Sequence, residues 1–426
     1  MKKLLVLLFI TGSAFGQNKL EVISMEETRR IEATLSSDEM QGRRTFTPGI
    51  EKAGHFIASE FEKIGLKKWG NSNSFLQSFA MIRPKVTSVQ VDVKGNTIDP
   101  KKVSISSVQK TLSITEKSGY EIASIPRGAN FVNEWRKISS STKNTVVFVD
   151  STHEQIFARA TQRGGQFYQT QPNIVFVIQN ETPASFKIEA TQDLTEMPLA
   201  NVVGIIPGKS KANEYVIFSG HYDHLGINTR NMKDNDSIYN GANDDAAGTT
   251  AMIMLAKYYK ALNQNERTLV FAAFTAEEIG GFGATYFSKQ FDPKQVMAMF
   301  NIEMIGTESK WGKNSAYITG FDKTNMGEIL QKNLEGTGFT FHPDPYPDQQ
   351  LFYRSDNATL ARLGVPAHTI STAKMDQEPH YHKASDEIGT LDMDNMSAII
   401  RAIALSARGI VAGKETPTRV DTSTLR

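Results

Sequence analysis

The chain has 426 residues, 39% hydrophobic and 22% charged, with 47 basic against 46 acidic side chains. That length suggests two or three domains with sizeable cores, and the near balance of charge gives no electrostatic case for nucleic acid or an anionic membrane as partner. Cysteine is absent, which excludes disulfides, thiol nucleophiles and thiolate ligands, so any metal must be held by histidine and carboxylate.

At the N-terminus Lys2 and Lys3 precede LLVLLFI, and small residues follow in GSAFG. This order predicts a signal peptide over residues 1–16, cut before Gln17, and export to the periplasm or beyond. The apolar run is too short to span a bilayer and no later one reaches eighteen residues, so stable membrane insertion is not expected. Residues 17–85 carry two helical patterns. MEETRRIEATLSS is one, and GIEKAGHFIASEFEKIGL, with Ile50, Ala53, Phe56, Ile57 and Phe61 on one face, is the other. Residues 86–199 change texture: VTSVQVDVKG, KVSISSV, KTLSIT, TVVFVDS and NIVFVIQN read as short strands, with one helix around HEQIFARATQRGG. We expect a β-rich inserted domain there.

From residue 200 to 413 the pattern alternates strand and helix, as in a mostly parallel sheet with crossover helices. YVIFSG leads into His221 and Asp223, TLVFAAFTA into Glu277 and Glu278, and VMAMFNI into Glu303. Asp244 and Asp245 lie in NGANDDAAG before an apolar helix, and a late loop carries His382. Residues 414–426 are expected to be a flexible tail. In open α/β sheets the binding groups collect past the carboxyl ends of the strands, and the acids and the histidine fall there.

His221, Asp244, Glu278, Glu303 and His382 are the candidate metal ligands. Two imidazoles and three carboxylates exceed the needs of one tetrahedral zinc and suit two Zn2+ roughly 3.5–4 Å apart, with one carboxylate between them. Asp223 is then the acceptor that orients His221, and Glu277, beside a ligand, is free to act as general base. Each feature alone has a plain explanation: paired acids suit a helix start, and a strand-end histidine packs. Glu303 resists this, because an unpaired carboxylate ending an apolar strand is costly to bury. His55 and His153 have no partner at metal-ligand spacing, and the methionines read as core.

GHYDHLG, NGANDDAAG, FTAEEIGGFGA, NIEMIG and YHKASD resemble, in order, the motifs of the di-zinc exopeptidases that include aminopeptidase Y, the secreted bacterial aminopeptidases and glutamate carboxypeptidase. MQGRRTFTPG and FIASEFEKIG are similar as well. The resemblance implies a zinc-peptidase-like three-layer α/β sandwich around a mixed, mostly parallel sheet. The insertion is weakly similar to a protease-associated domain and would form one wall of the cleft. It implies Asp244 as the bridging ligand, His221 and Glu303 on one zinc, Glu278 and His382 on the other, and Glu277 as base. An unusual peptide bond is implied between Asp244 and Asp245, and Tyr353 in FYRSDN is implied as the phenol that steadies the oxyanion. Two departures stand out: Glu303 replaces the usual Asp, and Asn357 replaces the usual His. The expected function is a secreted zinc aminopeptidase acting on peptides. The alternatives are a carboxypeptidase or dipeptidase of the same fold, a glutaminyl cyclase using one zinc, or a binding protein with a dead site.

Overall fold

The computed structural model describes residues 19–161, 171–230, 232 and 235–425, so the expected signal peptide lies outside the described residues. The chain divides into two units, one of residues 1–79 with 199–426 and one of residues 80–198. No helix among the described residues is long and apolar enough to cross a membrane.

In the first unit the strand Lys211–His221 lies at the centre of the sheet, flanked by Arg267–Phe274 and Val296–Ile302, both parallel to it. Ala367–Ser371 continues the parallel order beyond Val296–Ile302. Ser315–Ile318 then runs antiparallel to that strand, with Thr340–Pro343 parallel at the edge. On the other side Val202–Ile206 pairs antiparallel with Arg267–Phe274. Apolar runs of seven or eight residues, buried on both faces, make these central strands.

Helices cover both faces. On one face Met25–Leu35, Pro48–Ile64, Ala247–Leu262 and Met393–Ser406 bury Ile31, Ile57, Leu255 and Ile400 against Phe218, Phe271 and Phe300. On the other face Phe282–Ser288 and Asn357–Ala361 pack Phe287 and Leu360 against Ile217, Val270 and Met299. The result is a three-layer α/β/α arrangement with a mixed, mostly parallel sheet. The helix ends follow local chemistry. Ser24 accepts from the Glu27 amide at 3.1 Å, and Gly65, at φ 77°, closes Pro48–Ile64 in the left-handed conformation.

The chain leaves Lys211–His221 for Ala247–Leu262 and Arg267–Phe274 on one side, and reaches Val296–Ile302 on the other by way of Phe282–Ser288. The central strand is therefore the switch point of the sheet, where a crevice opens past the carboxyl ends.

The second unit holds a four-stranded sheet in the order Val103–Ser106, Ile174–Ile178, Thr145–Val149, Glu121–Ile125, of which the last three strands are mutually parallel. One face packs Val146, Phe148, Val175 and Val177 against Val91, Leu112 and Ile188. The other face carries helices Phe131–Ser139 and Glu154–Thr161, with Trp135 stacked on Phe176 at 3.9 Å. Two helices thus stand where the sequence suggested one. Asn130 caps the unexpected helix by accepting from the Asn133 amide at 3.1 Å, and Phe131, Trp135 and Ile138 supply its apolar stripe.

Candidate metal centre

Strand register sets the site. His221 is level with Phe274, so Glu277 and Glu278 leave the sheet just beyond it. Ser219 is level with Asn301, which brings Glu303 beside His221. Asp244 arrives on the turn Ala242–Ala246, where the Asp244–Asp245 peptide is cis. Asp386 holds that turn by accepting from the amides of Asn243 at 2.9 Å and Asp244 at 3.0 Å. Because Asp386 follows His382 in the same loop, one carboxylate fixes two parts of the site. Asp245 accepts from the backbone amides of His221 (3.2 Å), Gly248 (2.9 Å) and Met304 (3.1 Å), tying three elements together.

Asp244 stands at the middle. Its Oδ1 lies 3.3 Å from His221 Nε2 and its Oδ2 lies 3.2 Å from His382 Nε2. His382 Nε2 is also 3.3 Å from Glu278 Oε2. Ligand atoms of His221, Asp244 and Glu303 all fall within 4.8 Å of one another, as do those of His224, Asp244 and Glu278. The five sequence candidates are therefore together, and His224 joins them. His224 Nδ1 is 2.7 Å from Glu278 Oε1 but 3.9 Å from Asp244. It therefore orients Glu278, while His382 stands almost midway between the two carboxylates.

The donor set fits cations. His221 Nε2 and Glu303 Oε2 are buried without a hydrogen-bond partner, although His221 is 3.3 Å from Asp244. Lone pairs that converge without sharing a hydrogen suit an ion between them. Five carboxyl groups (Asp223, Asp244, Glu277, Glu278 and Glu303) share this small volume with three imidazoles. Burial raises the carboxyls of Glu277, Glu303 and Asp245 well above or above the usual range, and takes Asp223 to about 6. At Asp244 and Glu278 burial is outweighed by His221, His382 and His224, and both carboxyls are lowered. His221 is raised despite burial, because Asp244 and Glu277 favour its charged form. Such an excess of buried negative charge calls for positive charge at the common point.

Asp223 keeps its expected partner by another atom, and Tyr353 lines a different cavity. Asp223 supports His221 through its backbone carbonyl, 3.1 Å from Nδ1, while its carboxylate stands 3.7 Å away. That carboxylate instead accepts from the amides of Glu277 (3.0 Å) and Glu278 (3.2 Å), so it shapes the loop bearing both acids. Tyr353 is not at the site. It ends the short helix Leu351–Tyr353, which turns its ring against Phe352 and beneath the Arg362 guanidinium. Two phenols line the site instead: Tyr317, whose hydroxyl donates to the Ala373 carbonyl at 3.0 Å, and Tyr381, stacked on His382 at 3.9 Å. With Asp244, Glu277, Glu303 and His382 they line a cavity of about 50 Å³, walled further by Met304, Leu351 and Met375.

Arg43 was also unforeseen. Fully buried, it donates to the carbonyls of Leu35, Tyr222, Asn240 and Gly241 at 2.6–2.8 Å. It thereby fastens the segment after His221 to the one before Asp244.

Residues 201–407 match the sequence model of peptidase family M28. A probable leucine aminopeptidase of Trichophyton verrucosum (strain HKI 0517) is 30% identical over 206 residues, 46% of this chain and 53% of the relative. An aminopeptidase of Bacillus subtilis (strain 168), YwaD, is 27% identical over 234 residues, 50% of this chain and 44% of the relative. The chain spans about half the length of the curated relatives it matches. Among solved structures, an aminopeptidase from Aneurinibacillus sp. strain AM-1 superposes with TM-score 0.55 at 16% identity, over 92% of this chain and 95% of that one. A zinc aminopeptidase from Bacillus subtilis gives 0.56 at 17%, over 91% and 95%. At these identities the likeness establishes the fold.

Proposed function

We propose, from the premise that residues 201–407 belong to peptidase family M28, that this chain is an exported zinc aminopeptidase. The observation that carries the reading is the position of Asp244, with one oxygen toward His221 and the other toward His382. His221, Asp244 and Glu303 would hold one zinc, and His382, Asp244 and Glu278 the other. Zinc, when bound, supplies a Lewis acid for the peptide carbonyl and lowers the pKa of a coordinated water.

The side chains do the rest. Glu277 lines the cavity without a place in either trio, which leaves its carboxylate free to act as general base. It takes the proton of the attacking water as the carbon–oxygen bond forms, and gives it to the amine as the carbon–nitrogen bond breaks. Tyr381 donates its hydroxyl hydrogen to the developing oxyanion, the part that the sequence resemblance gave to Tyr353. His224 orients Glu278, the Asp223 backbone orients His221, and Asp386 holds the Asp244 turn.

Purified full-length protein should contain two zinc per chain and hydrolyse amino-acid p-nitroanilides until a chelator stops it. One zinc with no hydrolysis would favour the cyclase, and bound zinc with neither activity the dead-site alternative. Export is part of the same reading, and mature protein beginning at Gln17 is its expected sign.

A further inference from the structure

The metal centre has a second approach besides the cavity of Glu277 and Tyr381. His224 and Glu278 also line an open cleft of about 520 Å³, whose walls include Arg44, Arg230, Ile227 and Ile279. Ile227 and Ile279, 45% and 39% exposed, give that cleft two apolar side chains open to solvent.

Arg44 is held in place by a built support. Arg43 anchors its backbone through the four carbonyl contacts described above. Gly42 lies so close to the main chain of Tyr239 and Gly226 that an added Cβ would meet them at 2.4 and 2.8 Å. A Cβ at Gly226 would meet Arg44 Cβ at 2.5 Å, so the arginine stem lies flat on that glycine. Among the described residues neither Arg44 nor Arg230 pairs with a carboxylate.

We propose that this cleft takes the leaving side of the substrate, and that Arg44, assisted by Arg230, binds the C-terminal carboxylate of a di- or tripeptide. The proposal rests on the aminopeptidase reading. The cavity at Glu277 and Tyr381 is the smaller of the two, about 50 Å³ against about 520 Å³, so the N-terminal residue is assigned to it and the rest of the peptide to the cleft. A guanidinium matches a carboxylate with two parallel hydrogen bonds, and a polypeptide passing through would offer no charge at that point. Ile227 and Ile279 give the residue after the scissile bond an apolar bed.

The test compares leucyl-leucine, leucyl-leucine amide and N-acetyl-leucyl-leucine on the zinc-loaded full chain. The free acid should exceed the amide in kcat/KM by roughly tenfold or more. In the double variant Arg44→Gln/Arg230→Gln that ratio should fall toward one, mainly through KM, with zinc content and unfolding temperature as checks on folding. Equal turnover of acid and amide by the wild type, or a ratio that survives in the variant, overturns the proposal alone. Failure on these peptides and on leucine p-nitroanilide overturns the aminopeptidase reading and the proposal with it. Cleavage of the N-acetylated peptide does the same, since it would set the carboxylate beside Arg354, which also lines the cavity of Glu277.

Discussion

The two halves of the metal centre differ in burial although they share Asp244. The side chain of His221 is 1% exposed and that of His382 is 37% exposed. The first half is assembled from strand ends, which the sheet register fixes. The second depends on a loop whose histidine has φ 55°, and is steadied by Tyr381 stacking and by Asp386. The difference suggests a division of labour in the proposed enzyme: a closed half that keeps its ion and houses the base, and an open half whose ion exchanges more readily.

The strongest way to break this comparison is Glu277→Gln. The amide cannot accept the water proton, so kcat should fall by about 10²–10⁴-fold with both zinc ions retained. Near-normal turnover would remove the base from the closed half. Next comes Tyr381→Phe, expected to cost roughly a hundredfold in kcat with little change in KM, whereas Tyr353→Phe should stay within about twofold, as a surface change does. Reversal of that pair would restore the role to Tyr353. A smaller effect concerns exchange. A chelator should strip zinc in two phases, and His382→Ala should abolish the faster one while the slower ion stays. A single phase in the wild type would mean that burial does not separate the halves.

The strand-end residues could be read from sequence because a carboxylate ending an apolar strand, as Glu303 does, is costly to bury unpaired, and His221 ends the neighbouring apolar strand at the same level. The order of elements likewise followed from hydrophobic period. Loops were harder. Nothing periodic sets which tyrosine of residues 344–387 lines the cavity of Glu277, so the sequence pointed to FYRSDN where the structure places Tyr381. Arg43 was hidden because arginine is rarely buried whole, and only its four carbonyl partners, up to 198 positions away, explain it. The helix at Phe131–Ser139 did carry a signal in Asn130, Phe131, Trp135 and Ile138, but nine residues are too few for period to outweigh the surrounding strands.

The smallest effect tests whether burial at the centre extends beneath it. Glu32, on the helix Met25–Leu35, is fully buried; it accepts from the Thr250 hydroxyl at 2.8 Å with one oxygen, and the other has no partner. Burial pushes its carboxyl from 4.5 up to about 8, even with the Arg43 charge opposing. The folded state therefore holds a proton that the unfolded chain releases. Stability from this group is fully present below pH ~4.5 and is lost as pH rises through about 8. Glu32→Gln keeps the shape and removes the titration, so its unfolding free energy should decline less than the wild type's between pH 5 and 8.5, by up to a few kcal/mol. Parallel stability curves for the two proteins would mean that water or Arg43 already neutralises the carboxylate, and that the low-dielectric region ends at the metal ligands instead of reaching the helix below.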